Sequence, residues 1–344
     1  MPKILVTGGT GYIGSHTVVE LLEEGMEVVI IDNLSNSERE VLDGIAAITG
    51  TEPHFEEVDL RDRNATYGVF EKHPEIKAII HFAAFKAVGE SVEKPLDYYE
   101  NNLLSLIHLL EAMKKYGVSN LVFSSSCTVY GEPDSLPVTE EAPIKNANSP
   151  YGNTKQICEE ILQDTIESSP ENGVISLRYF NPIGAHPSAK IGELPIGVPN
   201  NLVPFITQTA AGIRESLSIF GDDYNTPDGS AIRDYINVVD LAKAHVKAIR
   251  RLLDQKQLSA FEVFNLGTGN GLSVFEIINA FEKTTGKKLN YKVVGRREGD
   301  IEKVYADTSY ANSELGWRAE KGIEETLQSA WNWEMNIRSK NKRT

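Results

Sequence analysis

Short runs of β-branched and apolar residues, Lys3–Thr7, Glu27–Asp32, Ala78–Phe82, Asn120–Ser124 and Val174–Tyr179, recur along the first half of the chain, and between them Leu, Ile and Val return at helical spacing. This alternation predicts an α/β fold, a doubly wound parallel sheet with helices on both faces and right-handed crossovers, whose ligands gather at the carboxyl ends of the strands. The rhythm breaks over Pro182–Gly229, where Pro187, Gly192, Pro195, Gly197, Pro199, Asn200 and Pro204 predict loop. Helical spacing resumes at Val239–Leu253, Val274–Thr284 and Ile323–Trp333, and the polar, basic stretch Asn336–Thr344 reads as a disordered tail.

The first predicted strand runs straight into Thr7-Gly-Gly-Thr-Gly-Tyr-Ile-Gly14, in which two spacings overlap, G-x-x-G-x-x-G from Gly8 and G-x-G-x-x-G from Gly9. By itself a glycine pattern is only a tight turn. Here a helix is predicted over Tyr12–Leu22, and Asp32 closes the second strand at the distance a dinucleotide site requires. Gly8, Gly11 and Gly14 then let backbone N–H groups and the positive helix end approach a pyrophosphate. Asp32 can accept hydrogen bonds from a ribose diol and repels a 2′-phosphate, which favours NAD over NADP, with nearby Arg39 the residue that weighs against it. Asp59 and Leu60, after the third strand, stand where an adenine edge can be bound, although an Asp before a helix is as often an N-cap. The expected organisation is a Rossmann-type NAD-binding domain over residues 1–181, with strand and helix contributions from about 232–266, and a smaller C-terminal α/β substrate-binding lobe over 182–344.

Tyr151 and Lys155 stand one helical turn apart in Tyr-Gly-Asn-Thr-Lys, so they can share a face. A free phenol titrates near 10 and is a poor base at neutral pH; the Lys155 ammonium and an oxidised nicotinamide can lower it into a useful range. Ser126, in the Ser124-Ser-Ser cluster that ends a strand, can hydrogen-bond the same substrate oxygen and relay the proton. A chance Y-x-x-x-K is an ordinary exposed helix face. Its place after a strand-ending Ser cluster, inside a dinucleotide-binding alternation, points instead to catalysis by Ser126, Tyr151 and Lys155.

With 344 residues, 41% hydrophobic and 24% charged, the composition is that of a globular protein. A net charge of −15 repels nucleic acid and anionic membranes, so an anionic substrate needs specific Arg or Lys residues. Cys127 and Cys158 form no disulfide framework and no metal-ligand spacing, and no metal is expected. No apolar run approaches membrane-spanning length and no signal-peptide succession precedes Lys3, from which a cytoplasmic location is expected.

Beyond the glycine turn and Y-x-x-x-K, the chain carries Asp32-Asn-Leu34, His81-Phe-Ala-Ala84, Lys86-Ala-Val-Gly-Glu-Ser91, Ser149-Pro-Tyr-Gly152, Arg178-Tyr-Phe-Asn-Pro182, Gly184-Ala-His-Pro187, Pro199-Asn-Asn-Leu202, Ile232-Arg-Asp-Tyr-Ile236, Asn265-Leu-Gly267 and Arg296-Arg-Glu-Gly-Asp300. In these blocks, spread over nearly its whole length, it resembles the extended short-chain dehydrogenase/reductase family and, within it, the UDP-glucose 4-epimerases. The resemblance implies reversible inversion at carbon 4 of UDP-glucose and UDP-galactose through a 4-keto sugar and transient NADH. It implies that Tyr12 and Ile13 lie at the pyrophosphate and Asn33, Asn36 and Ser37 near the adenosine ribose, while Phe82, Ala83, Ala84, Lys86, Asn101, Ser124 and Phe180 help hold NAD. It also implies that Asn181, Asn201, Leu202, Phe220, Arg233, Arg297 and Asp300 line the UDP-sugar site, together with Lys86, Ser126 and Tyr151. The arginines suit diphosphate oxygens, where an unplaced Arg is otherwise a solvated surface residue. A homodimer built from helices around Pro95–Tyr116 and Tyr151–Ser169 is implied on the same ground.

Two departures stand out. Ala84 replaces a common Gly, adding a methyl. Val304 stands where relatives confined to glucose and galactose carry a bulky Tyr, with Tyr305 next to it, so room for an N-acetyl group at carbon 2 is expected unless the register brings Tyr305 inward. A 4,6-dehydratase on the same scaffold needs an Asp-Glu pair where this chain has Cys127-Thr128, a glucuronate epimerase needs extra positive charge near carbon 6, and a non-catalytic NAD sensor typically loses the Tyr or Lys that this chain retains.

Overall fold

The computed structural model describes residues 1–297 and 300–341. Its first half runs β1 (Lys3–Thr7), α1 (Tyr12–Glu23), β2 (Glu27–Asp32), α2 (Val41–Thr49), β3 (His54–Glu57), α3 (Arg63–Lys72), β4 (Ile76–His81), α4 (Val88–Glu93), α5 (Pro95–Tyr116) and β5 (Asn120–Ser124). After a 3-10 turn (Cys127–Tyr130) come α6 (Pro150–Ser168), β6 (Gly173–Tyr179), β7 (Asn181–Ile183), α7 (Leu202–Ala210), β8 (Leu217–Phe220), β9 (Ile232–Asn237), α8 (Val238–Leu253) and β10 (Phe261–Leu266). The remainder is β11 (Gly271–Ser273), α9 (Val274–Thr285), β12 (Tyr291–Val294), β13 (Lys303–Val304), α10 (Ser309–Ser313) and α11 (Ile323–Asn341).

Seven strands form one parallel sheet in the order β10-β6-β5-β4-β1-β2-β3. Alternation within its strands supplies two cores. Ile4, Val6, Val28 and Ile30 point into one cluster, whereas Leu5, Val29 and Ile31 point into the other, the period of two expected of strands covered on both faces. Strand order reverses between β1 and β4, and this reversal opens a crevice above their carboxyl ends where ligands of such sheets bind. A third apolar cluster joins α7, β8, α9 and α11 through Ile206, Ile219, Phe281, Leu327 and Trp331, beside a small sheet in which β9 pairs with β7, β11 and β13.

Several boundaries differ from the sequence reading. Pro182–Gly229 is not continuous loop: it holds most of β7, and all of α7 and β8. Pro204 is accommodated because it falls in the first turn of α7, whose N–H groups have no intrahelical acceptor anyway. The expected disordered tail is helical as far as Asn341, and Lys342–Thr344 lie outside the described residues. Polar ties rather than apolar spacing hold that stretch: Asn336 donates to the Ala189 carbonyl at 2.6 Å, and Arg338 pairs with Glu334 at 2.7 Å. Of the 232–266 region, β9 joins the small sheet, and only α8 and β10 attach to the central one. Among the described residues no helix is long and apolar enough to cross a membrane.

Burial leaves a titration signature. His16, His81 and His245 are enclosed, and desolvation lowers their pKa values to about 3, about 3 and about 4. Below their ordinary value the unfolded chain binds protons that the folded chain refuses, so these groups withdraw stability as pH falls. Glu20, raised by burial to about 7, acts in the opposite sense, as do Glu140, Asp234 and Asp240 with smaller shifts, while His186 is lowered with the other histidines. Urea midpoints should therefore fall between pH 6.5 and about 5; a flat or rising profile contradicts this accounting.

Candidate active site

The crevice at the strand reversal is closed on one side by the glycine turn. Gly8 has φ +69°, and a Cβ there would lie 2.8 Å from the Ala83 nitrogen, so the turn rests directly on the Phe82–Ala84 segment that follows β4. A Cβ on Gly14 would run into the Gly8 carbonyl. Gly11 opens α1 with no side-chain cap, leaving the first-turn N–H groups around Tyr12 and Ile13 for a ligand. Asp32 is held beside this turn: one oxygen accepts from Thr10 N at 3.2 Å, the other from Leu34 N at 3.0 Å and Ser37 Oγ at 3.2 Å. Asn33 donates to Asp59 at 3.1 Å, linking two more of the expected residues, and Asn36 extends the same loop.

Asp59 is not an N-cap. That place belongs to Asp62, which accepts from Asn64 N and Ala65 N. Asp59 instead grips Arg61, whose hydrogen bonds hold its carboxyl down at about 2. Leu60 turns its side chain into the apolar core. Arg39 lies over Phe55 and pairs with Glu57 at 3.3 Å, on the β3 side. The turn and its neighbours fit a dinucleotide: uncapped N–H groups, an approach that side chains would block, and an acid at the end of β2.

At the carboxyl end of β5, Ser126, Tyr151 and Lys155 converge, all buried. Ser149 caps α6 by accepting from Gly152 N at 3.2 Å, and Pro150 opens the helix, which sets Tyr151 and Lys155 on its inner face. Lys155 Nζ donates to the Ser124 carbonyl at 2.7 Å and lies 6.0 Å from the centre of the Tyr151 ring. The Ser124 hydroxyl shares a 2.6 Å hydrogen bond with Tyr179. Among the protein's own groups, burial pushes the Tyr151 phenol well above its ordinary range, with Ser126 pulling the other way. Burial also brings Lys155 down to about 8. Enclosure therefore disfavours both charged forms, outweighing the pull of Glu159 on the Lys155 ammonium.

On the opposite wall, Asp300 accepts from Arg297 Nη2 at 2.7 Å and lies 3.6 Å from Arg233 Nη2, while the Arg297 guanidinium stands 5.5 Å over the Phe220 ring. Four expected substrate residues thus form one cluster, two of them cations preset by a shared acid; Glu298 and Gly299 of that block lie outside the described residues. The Arg233 charge acts on the Cys127 thiol, which burial nevertheless raises to about 12, so this cluster reaches the segment that carries Ser126. Val304 points inward, packing with Val129, Tyr130 and Phe180, whereas Tyr305 lies on the other side against Gly271. Asn181 sits on β7 next to Phe180.

Glu193 had no signal in the sequence. It accepts from Asn201 Nδ2 at 2.6 Å, lies 3.7 Å from Lys86 Nζ, and stands near Tyr12, whose hydroxyl donates to the Gly184 carbonyl at 2.7 Å. Lys86, Asn201, with Leu202 following at the start of α7, and Tyr12 are thereby gathered around one acid. Its loop is braced from α11: Trp333 Nε1 donates to the Glu193 carbonyl at 2.8 Å, and the indole covers Gly192. Asn102 was missed as well. It bonds both the N–H and the carbonyl of Phe85 and also Thr154, pinning the loop after β4 to α6, while Asn101 donates to it at 3.0 Å.

The chain is similar to known proteins over almost its whole length. The family model for GDP-mannose 4,6 dehydratase matches residues 5–330. UDP-glucose 4-epimerase of Bacillus subtilis is 54% identical over 331 residues, 96% of either chain. The crystal structure of UDP-glucose 4-epimerase from Bifidobacterium longum, in complex with NAD+ and UDP, superposes with a TM-score of 0.93 at 46% identity, covering 97% of this chain and 98% of that one. A UDP-Glc/GlcNAc 4-epimerase from Campylobacter jejuni superposes at 0.83 with 37% identity, covering 98% and 100%. The chain belongs to the GDP-mannose 4,6 dehydratase family of extended short-chain dehydrogenases/reductases. Within that family it stands among the UDP-glucose 4-epimerases.

Proposed function

We propose that this chain inverts carbon 4 of UDP-hexoses, interconverting UDP-glucose and UDP-galactose through a 4-keto sugar, with NAD as its resident cofactor. The observation that carries the reading is the convergence of Ser126, Tyr151 and Lys155 at the end of β5, between the glycine turn and the Arg233–Asp300–Arg297 cluster. Gly8, Gly11, Tyr12, Ile13, Gly14, Asp32, Asn33, Asn36, Ser37 and Asp59 hold the dinucleotide's adenosine and pyrophosphate. Phe82, Ala83, Ala84, Lys86, Asn101, Ser124 and Phe180 border the rest of it, with the backbone of Leu60 beside the adenine. When bound, NAD supplies an acceptor that returns the hydride it takes and, when oxidised, a second positive charge beside the phenol. Tyr151 removes the proton of the carbon 4 hydroxyl and later restores it. Ser126 bonds the same oxygen and relays the proton, and Lys155 opposes the desolvation that holds the phenol neutral. Arg233 and Arg297 grip the diphosphate while Asn181, Asn201, Leu202 and Phe220 enclose the nucleotide. Firm anchoring at that end lets the hexose turn and present its other face to the same groups.

Removing the Tyr151 hydroxyl tests this directly. Tyr151→Phe should lower kcat on UDP-galactose by roughly 100-fold or more with bound NAD and UDP affinity retained, read by NMR of the products. Unchanged turnover removes Tyr151 from the mechanism. A 6-deoxy-4-keto product would instead mark a dehydratase, for which the chain offers Cys127 and Thr128 where an acid pair is needed.

The inward position of Val304 supports acceptance of UDP-GlcNAc and UDP-GalNAc as well. UDP-GalNAc should be epimerised by the unmodified chain and refused by Val304→Tyr, while UDP-galactose is turned over by both. Absence of turnover of the acetylated sugar by the unmodified chain overturns this extension.

We also place the enzyme in the cytoplasm, where Cys127 and Cys158, both free, stay reduced, and as a homodimer. Val88, Val92 and Leu96 support the dimer: they recur every fourth residue along α4 and into α5 and are exposed by 51%, 62% and 79%. Analytical ultracentrifugation should find a dimer for the unmodified chain and a monomer for Leu96→Glu; a monomeric unmodified chain rules the assembly out.

A further inference from the structure

Behind the proton-handling group lies a buried polar network centred on Glu159, one helical turn after Lys155 on α6. Its Oε1 accepts from the hydroxyls of Ser125 at 2.6 Å and Ser176 at 2.7 Å and from Arg178 Nε at 3.1 Å, while Oε2 accepts from Arg178 Nη2 at 2.6 Å. Arg178, on β6, also donates through Nη1 to the Tyr130 hydroxyl at 3.0 Å, and that hydroxyl donates to Asn265 Oδ1 at 2.7 Å. Glu159 and Arg178 are each 5% exposed, and Ser125, Ser176, Tyr130 and Asn265 are fully enclosed.

The network meets the chain on both sides of Ser126. Ser125 precedes it, and Tyr130 ends the 3-10 turn that follows it. Ser124, one residue further back, gives its carbonyl to Lys155. The segment that carries Ser126 and orients Lys155 is therefore fixed from behind by one ion pair. Stability alone is a poor reason for such a pair, since apolar side chains of similar volume commonly serve a core as well or better. Directional bonds do what apolar packing cannot: they fix a backbone to within a fraction of an ångström, the tolerance that proton transfer demands.

We propose that Glu159 and Arg178 are positioning residues for the epimerisation, setting Ser126 and Lys155 against Tyr151 by clamping the Ser125 hydroxyl on one side and the Tyr130 hydroxyl on the other. The inference rests on the epimerase reading above. Neither charged residue contacts the sugar, so the pair acts on the chemical step and not on substrate capture.

Replacing either charge leaves its partner buried and unpaired, which threatens folding. Ser125→Ala and Tyr130→Phe loosen the clamp more gently, each removing one hydroxyl and keeping the packing. Both variants, purified with their NAD and verified by circular dichroism, are assayed on UDP-galactose beside Ser126→Ala and the Ser125→Ala/Ser126→Ala double variant. The expected result is a fall of about tenfold in kcat for each clamp variant, with KM and NAD content unchanged, and no further loss when Ser125→Ala is added to Ser126→Ala. A kcat within about twofold of the unmodified chain for both clamp variants, losses that multiply in the double variant, or a rise in KM with kcat unchanged overturns the proposal. Absence of turnover by the unmodified chain overturns the epimerase reading, and this inference with it; a kcat kept within about twofold of the unmodified chain in both clamp variants overturns this inference alone.

Discussion

Parallel pairing within the central sheet is the constraint on which the site depends. Because all seven strands run the same way, every β-to-α connection that leaves a carboxyl end lies on one rim, and the reversal of order between β1 and β4 parts the connections there. The glycine turn after β1, the acid ending β2, the Phe82–Ala84 segment after β4 and the serine cluster after β5 become neighbours although they are scattered through the first 126 residues. Hydrophobic alternation does this work indirectly. By burying both faces of the sheet it turns the rim into a place where polar side chains and open backbone groups collect.

A second theme is how the enclosed groups are kept polar. Lys155 on a carbonyl and Tyr151 beside Ser126 are each a polar group given a limited partner. Whereas Asp300 is paired with two guanidinium groups, neither Lys155 nor Tyr151 is neutralised by a full counter-ion pair of its own at the reacting position. Such groups respond strongly to any charge placed near them, because little solvent is present to screen it. The fully paired Glu159–Arg178 unit sits one layer behind, where rigidity matters more than responsiveness.

Much of this was legible in the residue pattern. Strands β1, β2 and β5 fall where apolar runs mark them, and the glycine turn was readable because strand, turn and helix follow one another without interruption. Local pattern failed where tertiary contacts decide. Near Asn336 the spacing of Glu334 and Arg338 is a local helix signal that polar composition hides, and the rest of the hold comes from the Ala189 carbonyl of a distant loop. Pro204 looks like a breaker until its place in a first turn is known. Glu193 and Asn102 are invisible for the same reason: their importance lies in partners on other elements, Lys86 for the one and Thr154 for the other, that no periodicity records. Spacing shows that Lys155 is near Tyr151 but not how deeply both groups are enclosed.

The brace between Trp333 and the Gly192–Glu193 loop carries a consequence for the order of assembly. A chain made from its amino end can complete the strands of the nucleotide crevice while α11 is still inside the ribosome, and the loop that gathers Lys86 and Asn201 is then held through Ile191 in the first core and Lys190 on the Ala47 carbonyl. The indole adds its support to Gly192 and Glu193 once α11 has emerged, so this wall of the crevice is completed late in synthesis.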